Sequence, residues 1–259
     1  MFVGWSRGPA GSVDFVDQQP NVHINSGMSL YAVWQQELIN YEFSRYGTTV
    51  NGISGGNTNY DGIADPSISY VPAVNGYDLN TGAQFNGSSS YIAIPNQPLT
   101  DYTSSYTIGM LFNTQHAGGV LLGYQDIAVP AVTLDYQARG GGGDAPTYSV
   151  PILYVGSDGK LNASMYVNEL SGNLTISSSA AVIDNAMHMV ELIVTSNWSP
   201  NIASMNLILD GVWQGAQNYS GTFNGLSMSY NQLGVGYYNG GWNYFNGYIQ
   251  AFGMVVGPN

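Results

Sequence analysis

The sequence predicts an all-β protein, an antiparallel jelly-roll β-sandwich, and three observations predict it. Short runs of alternating apolar and polar residues recur along the chain. Turn signals of the Asp-Gly and Asn-Gly type separate several of them. Only 8% of the 259 residues are charged, while 34 are Gly and 20 are Tyr, so the surface is polar but largely uncharged. A hydrophobic content of 44% is enough to bury a core.

The strand predictions are most secure where β-branched, aromatic and other apolar residues alternate with small or polar ones. Many short strands joined by tight turns are typical of sandwiches and jelly rolls. Turns are predicted at Asp158-Gly159, Asp210-Gly211 and Asn239-Gly240. The predicted strands lie at 90–94, 106–112, 150–155, 189–194, 205–209 and 248–256.

The segment 29–46 supports two interpretations. Leu30, Trp34, Leu38 and Tyr41 would share one face of a helix capped by Ser29. Simple alternation over residues 30–34 fits a strand equally well. The segment that follows, up to residue 72, is rich in Gly, Asn and Ser and predicts a linker or a long ordered loop.

The charge balance excludes two classes of partner. Four cationic side chains (Arg7, Arg45, Arg139 and Lys160) stand against 16 carboxylates, which gives a net charge of −12. Nucleic acids and anionic membrane surfaces are bound through clustered Lys and Arg, so neither is an expected partner. The sequence has no cysteine and no apolar run of about 18 residues, so we expect neither disulfides nor membrane insertion by this segment. The first ten residues show no targeting signal.

From about residue 76 to 256 the chain resembles the laminin-G-like members of the concanavalin A-like jelly rolls. The run Ala83-Gln-Phe-Asn-Gly-Ser-Ser-Ser-Tyr-Ile-Ala-Ile-Pro is similar to that family's first strand. Met187-His-Met-Val, Leu207-Ile-Leu-Asp-Gly-Val and Tyr244-Phe-Asn-Gly-Tyr-Ile look like its later motifs, in the family's order. Met187 departs from the Trp that is usual there. The resemblance implies the fold more than a function, because this fold carries lectins, adhesion modules, spacers and glycosidases.

Residues 2–34 are similar to the second half of an internalin-type B-repeat, a small β-grasp module. The likeness is carried by Phe2-Val-Gly-Trp and by Leu30-Tyr-Ala-Val-Trp. The first half of such a repeat, which supplies its opening strand, has no counterpart here. Three explanations are open: the chain is cut from a longer protein, a neighbouring subunit supplies the strand, or the likeness is accidental. The resemblance implies a surface protein with a partial β-grasp module at 1–36, a linker or long loop at 37–75 and a jelly roll at 76–259.

Catalytic patterns are absent from the sequence. Retaining glycosidases need two carboxylates about 5 Å apart, and the four glutamates (Glu37, Glu42, Glu169 and Glu191) are isolated. His188 could pair with Glu191, but three residues apart on a strand they would point to opposite faces. His188 is therefore interpreted as a structural residue of a core strand. No G-x-S-x-G elbow occurs.

A calcium ion is the one cofactor that the resemblance leaves open. Many relatives of this fold hold Ca²⁺ at the rim of the sandwich through Asp and Asn oxygens. Three aspartates in predicted loops are candidate ligands: Asp126, Asp135 and Asp144.

Aromatic residues crowd the Asn239-Gly240 turn. The family pattern implies that Phe245 and Ile249 point into the core, so alternation places Trp242 and Tyr244 outward. Three interpretations are open for these rings. They stack on a sugar, they contact a protein partner, or they pack on the N-terminal segment of the chain. The candidate binding residues are Tyr238, Trp242, Tyr244, Trp198 and Trp213.

Five Asn-x-Ser/Thr sequons add a candidate modification. In a chain this rich in Asn, Ser and Thr they arise by chance or mark glycosylation of an extracellular protein. The acceptors would be Asn86, Asn162, Asn173, Asn197 and Asn218.

The sequence as a whole predicts a non-catalytic module of an extracellular, cell-surface or virion assembly that acts in adhesion or structure. Its expected partners are protein subunits of that assembly, with a homo-oligomer or a longer chain as the context. The alternative is a carbohydrate-binding lectin domain with cell-surface glycans as partners. A glycoside hydrolase comes third.

Overall fold

The computed structural model describes residues 2–7, 29–34, 36–43, 49–50, 61–72, 81–94, 105–130, 145–167, 172–198, 201–220 and 228–256. In these parts the regular structure is β-strand throughout, and no helix long and apolar enough to cross a membrane occurs among them. The strands are β1 (Phe2–Ser6), β2 (Tyr31–Trp34), β3 (Gln36–Glu42), β4 (Thr49–Val50), β5 (Gly62–Ala64), β6 (Ser69–Pro72), β7 (Thr81–Asn86), β8 (Ile92–Ile94), β9 (Tyr106–Asn113), β10 (Val120–Gln125), β11 (Ser149–Val155), β12 (Lys160–Val167), β13 (Gly172–Ala181), β14 (His188–Trp198), β15 (Asn201–Leu209), β16 (Val212–Tyr219), β17 (Tyr230–Leu233), β18 (Val235–Tyr238), β19 (Gly241–Tyr244) and β20 (Asn246–Val256).

Two large sheets form the sandwich. Sheet I has the strand order β13-β12-β11-β10-β17-β8-β5-β4, with β18 and β19 attached beside β10. Sheet II has the order β16-β15-β14-β9-β20-β7-β6, and β3 pairs with the second half of β20. Among these strands the pairs are antiparallel except for one parallel contact, Val120 of β10 with Tyr244 of β19. The predicted all-β jelly-roll sandwich is confirmed.

The core lies between the two sheets, and the alternation of the strands places it there. In β9 every second residue from Tyr106 to Phe112 is buried, while its neighbours are half-buried. The same period of two runs through the described part of β14 and the second half of β20. Phe245 and Ile249 are fully buried, as the resemblance implied. All six predicted strands are present; β14 extends four residues beyond its predicted end and β15 begins four residues before its predicted start, while the other ends agree within two residues.

The predicted turns also form, with the backbone geometry that Asp-Gly and Asn-Gly favour. Asp210 and Gly211 have φ angles of 53° and 74°, and Asn239 and Gly240 have 51° and 80°. Two consecutive residues with positive φ define the type I′ turn, whose twist matches that of the flanking strands. They close the hairpins β15–β16 and β18–β19.

Other parts of the sequence fold differently from their prediction. Residues 31–34 and 36–42 are strands, so the helical alternative for 29–46 is wrong. Within the predicted linker at 37–75, β3, β5 and β6 pair with β20, β8 and β7 and extend the two sheets. β5 and β6 are only three and four residues long, and strands this short carry little alternation. The domain boundaries as such stay a prediction.

The motif that begins at Ala83 is not one strand. β7 belongs to sheet II and β8 to sheet I, so the chain crosses the sandwich between them. Asn86 makes the crossing, because its Oδ1 accepts hydrogen bonds from the backbone N–H groups of Ser88 and Ser89, both at 2.9 Å. Such side-chain caps are the usual reason for Asn at a tight turn.

Candidate functional site

The aromatic hairpin, residues 235–244, lies against sheet I. The Tyr238 ring packs on Tyr154 of β11, with ring centroids 4.5 Å apart. A side chain at Gly123 of β10 would begin 2.8 Å from the carbonyl oxygen of Val235, so only glycine allows this approach. Burial, followed by the hydrogen bond with Tyr238, raises the pKa of Tyr154. The hairpin therefore covers β10 and β11.

This packing corrects the expectation that Trp242 and Tyr244 face outward. Both residues are half-buried, as is Tyr238. The Trp242 ring meets Tyr237 edge-on at 5.7 Å and 79°, and its Nε1 is buried without a hydrogen-bond partner among the described residues. The observed contact is with β10 and β11 of sheet I, and most of the N-terminal segment lies outside the described residues, so the choice among the three interpretations stays open. Whether these rings also bind a ligand stays a prediction.

The other two candidate tryptophans differ in what the structure says of them. Trp213 is 63% exposed, and its neighbours Val212 and Met189 are 61% and 41% exposed. These three residues, here called the hairpin-tip patch, lie beside the Asp210-Gly211 turn. The side chain of Trp198 lies outside the described residues.

A groove on sheet I brings together side chains that the sequence analysis did not select. Gln232, Ala93 and Ile63 stand in register across β17, β8 and β5. Tyr230 and Tyr91 flank this row, and the segment 128–129 closes one side. The groove has a volume of about 330 Å³, within the range typical of small-ligand sites. Ile63 is 60% exposed and Tyr230 43%.

Buried amides surround this groove. Gln232 Nε2 donates to Gln125 Oε1 at 2.7 Å and to the carbonyl oxygen of Val235 at 3.2 Å. Gln125 Nε2 and both amide atoms of Asn231 are buried without a hydrogen-bond partner among the described residues. Each such group costs about 1–3 kcal/mol relative to a bonded one. Native proteins leave few polar groups in that state, so unpaired amides next to a groove call for an explanation.

The described lining of the groove carries no formal charge. The ten lining residues within the described ranges include neither an acid nor a base. Asp65 lies near one end, where its backbone N–H donates to the Tyr91 carbonyl oxygen at 2.9 Å. Burial, together with the charge of Asp65, raises the pKa of Tyr91. The Tyr91 hydroxyl therefore keeps its proton at neutral pH.

His188 has a structural role, as predicted. It is 8% exposed. Its Nδ1 lies 2.8 Å from Asp210 Oδ2 and its Nε2 lies 3.1 Å from Asp184 Oδ1. The ring thus ties the loop before β14 to the β15–β16 turn. Glu191 is half-buried and alternates to the other face of the strand, so the two do not pair.

The calcium prediction has only one of its three aspartates in the described residues. Asp126 is half-buried, and its Oδ1 is buried without a hydrogen-bond partner among those residues. Asp135 and Asp144 lie outside the described ranges. A carboxylate oxygen of this kind suits a cation, but no group of three or more metal-binding side chains occurs in the part of the chain that the structure covers. Calcium stays a prediction.

The sequons fall into different environments. Asn173 and Asn218 are exposed on β13 and β16. Asn86 is exposed, but its Nδ2 donates to Ser89 Oγ at 2.9 Å. Asn162 is 8% exposed and its amide bonds Lys160 and Ser177, so folding hides this acceptor. The side chain of Asn197 lies outside the described residues.

Sequence reasoning missed the groove because its residues look like ordinary strand residues. Tyr91 and Ala93 belong to a predicted strand, and nothing in its alternation distinguishes its outward residues from those of other strands. The signal that could have been used is Tyr230-Asn231-Gln232, where two amides interrupt an otherwise apolar strand. A polar pair inside a strand has to find partners once it is buried.

Comparisons with known proteins support the fold. No protein-family profile and no curated protein sequence matches the chain. Domain 4 of AbnA, an extracellular GH43 arabinanase from Geobacillus stearothermophilus solved with arabinotriose, is similar over 86% of this chain and 93% of its own, with 13% identity and a TM-score of 0.54. The binding domain of botulinum neurotoxin DC, solved with SialylT, is similar over 86% of this chain, with 11% identity and a TM-score of 0.52. The alignment spans only 48% of that toxin chain.

Mouse laminin alpha1 domains LG4-5 show 19% identity over 68% of this chain and 41% of their own, with a TM-score of 0.45. A similarity of that size does not separate laminin-G domains from other jelly rolls. The B-repeat resemblance at residues 2–34 is not supported by these comparisons. The strands β1 and β2 do pair there as a two-stranded antiparallel sheet.

Proposed function

We propose that this protein is a non-catalytic carbohydrate-binding module, and that the groove on sheet I binds an uncharged glycan. One observation carries the proposal: among the described residues, the lining of one groove combines two tyrosines with the carboxamide residues Asn231 and Gln232 and includes no charged side chain. Sugars present apolar C–H faces and hydroxyl groups that both donate and accept. Aromatic rings suit the first, and carboxamides suit the second.

The tyrosines would provide the apolar contact. Tyr230 leaves 43% of its surface exposed at the groove, which gives a ligand a large aromatic surface to cover. The half-buried Tyr91 stands along the same row and keeps its hydroxyl proton. The amide of Gln232, which is in register with Ala93 and Ile63 of the groove, would then exchange hydrogen bonds with sugar hydroxyls after a small side-chain rotation.

The absence of charge from the groove favours neutral over acidic sugars. A carboxylated sugar buried without a cation would lose its hydration and gain no counter-charge. None of the described lining residues is Lys or Arg, and the chain as a whole carries a net charge of −12. The similar structures do not decide between the two kinds of sugar, because one was solved with arabinotriose and the other with SialylT, and at 13% and 11% identity both support the fold alone.

The same lining argues against hydrolysis. Glycoside cleavage needs an acid and a second carboxylate on either side of the bond, and no carboxylate lines the groove within the part of the chain that the structure describes. A binding module of this kind works outside the cell, where glycans are available, so we place the protein at the cell surface or in the medium.

The test is a glycan array that contains uncharged and sialylated members, probed with the whole chain. We expect hits among the uncharged glycans and expect Tyr230→Ala to remove them. Tyr148→Ala is the matched control, because Tyr148 is 44% exposed and lies outside the groove. Binding that survives Tyr230→Ala, or that is confined to sialylated glycans, would contradict the proposal.

The hairpin-tip patch favours a second candidate, assembly with another copy of this chain. Met189, Val212 and Trp213 carry no charge and are each more than 40% exposed. Exposed tryptophan is the residue most typical of interface anchors. If the patch is an interface, sedimentation equilibrium will show a dimer or higher oligomer that Trp213→Ser dissociates and Tyr148→Ser does not. A monomer at all concentrations would remove this candidate and leave the glycan proposal untouched.

A further inference from the structure

A second cavity lies at one end of sheet II, on strands that take no part in the groove. It forms where β7, β9 and β20 meet the loop 114–119 and the segment around Asn185. Its volume is about 190 Å³, so it is smaller than the groove and has room for one compact ligand rather than a chain.

Hydrogen bonds within the chain hold the cleft in shape. Thr114 Oγ1 donates to the Asn246 carbonyl oxygen at 2.7 Å, and Gln84 Nε2 donates to the Gly247 carbonyl oxygen at 2.9 Å. Asn113 Nδ2 donates to the carbonyl oxygen of Asn185. The backbone N–H of His116 donates to Thr114 Oγ1 at 3.0 Å, which fixes the loop that carries the His116 side chain. The walls are therefore preorganised, which lowers the entropic cost of binding.

The chemistry of the walls selects the ligand. Five of the lining side chains are carboxamides, and among the lining residues that the structure describes there is neither a carboxylate nor a Lys or Arg. Carboxamides offer an acceptor and two donors at neighbouring positions, which matches adjacent hydroxyl groups that both give and accept protons. Phosphates and sulfates would find no counter-charge, and Ca²⁺ would find no carboxylate.

We propose that this cleft binds a single uncharged sugar residue, or a polyol of the same size. The Tyr248 side chain, 3% exposed, forms a covered aromatic surface in the lining. The exposed side chains Gln115 and His116 reach the ligand from the loop, and Asn246 reaches it from β20. The inference stands on this lining alone and does not require the groove on sheet I to bind anything.

The experiment is a titration of the isotope-labelled full chain with neutral monosaccharides, followed by protein NMR. The probes are glucose, galactose and arabinose, each added separately up to about 100 mM, a hundredfold excess over a Kd of about 1 mM. We expect the side-chain amide signals of Asn113 and Asn246 to shift, together with the backbone signals of 114–116. We expect the double variant Gln115→Ala/His116→Ala to weaken binding at least about fivefold, since each lost hydrogen bond is worth roughly that factor.

The variant should fold, because both side chains are exposed and the hydrogen bonds that fix the loop use the backbone of His116 rather than its ring. An unchanged amide spectrum away from the loop checks this directly. Tyr230→Ala is the second control and should leave these shifts unchanged. An absence of shifts at the highest sugar concentration overturns the proposal for this cleft. Shifts confined to the groove on sheet I also overturn it, but they leave the proposed function of the groove standing. Binding unaffected by the double variant overturns it as well.

Discussion

Gly234 offers the sharpest test of how the aromatic hairpin is placed. It joins β17 to β18 with a φ of 83°. A methyl group at this position would begin 2.2 Å from Cδ1 and Cε1 of Phe85. Phe85 is fully buried and packs edge-on against Phe245 at 6.0 Å, so its ring cannot turn away. Gly234→Ala therefore adds a clash in the core to an unfavourable backbone angle.

Gly240→Ala is the matched control. Gly240 has nearly the same φ, 80°, but a methyl group there would meet nothing within 4 Å. A positive φ costs an alanine about 1–2 kcal/mol at either site. Overpacking adds about 1–3 kcal/mol at Gly234 alone. We expect Gly240→Ala to lower the free energy of unfolding by about 1–2 kcal/mol and Gly234→Ala by about 2–5 kcal/mol.

Urea unfolding of the two variants, followed by tryptophan fluorescence, measures the difference. Equal losses, within about 0.5 kcal/mol, would mean that Phe85 does not approach Gly234 as closely as the structure has it. The bend that carries β18 over β10 would then be wrong, and so would the account of why Trp242 and Tyr244 are half-buried.

Three further predictions concern pH and modification. The hydrogen bond from the backbone N–H of Ala186, with a smaller contribution from His188, lowers the pKa of Asp184. The ionised carboxylate therefore stabilises the folded state above the unfolded pKa, and this stability is lost as the pH falls through the folded pKa. In thermal melts, the destabilisation caused by Asp184→Asn should accordingly become smaller in acid. Burial raises the pKa values of Tyr106 and Tyr124. Stability should therefore fall as the pH rises above about 10, where the unfolded chain ionises first, and the part of the phenolate absorbance that comes from these two buried tyrosines should appear together with unfolding rather than before it. If the chain is expressed in a glycosylating host and the exposed sequons are occupied, peptide mass spectrometry should find Asn162 unmodified, because its amide is buried. A glycan on Asn162 would show that attachment precedes folding or that β12 is placed wrongly.

The sequence alone determined the parts of this protein that depend on neighbouring residues. Alternation identified β9, β14 and β20 because a strand with one buried face must repeat every two residues. The Asp-Gly and Asn-Gly pairs predicted the hairpin turns because few residues adopt two positive φ angles in succession. The inward direction of Phe245 followed from the family motif, and parity then placed Trp242 on the opposite side of the strand.

Alternation along the strand does not predict which residues pack against the face that carries Trp242. The hairpin covers β10 because Gly123 leaves room for the backbone of Val235, and these residues are remote from each other in sequence. The groove has the same origin, since Ile63, Tyr91 and Tyr230 are brought together only by the pairing of β5, β8 and β17. Of these strands β8 was predicted from its alternation, but β5 is only three residues long and too short to be recognised by its own pattern. The sequence by itself therefore determined the all-β sandwich and its turns, because local backbone preference and alternation specify them. The tertiary structure decided which aromatic rings are covered and which form a site, because that depends on contacts between strands that are distant in sequence.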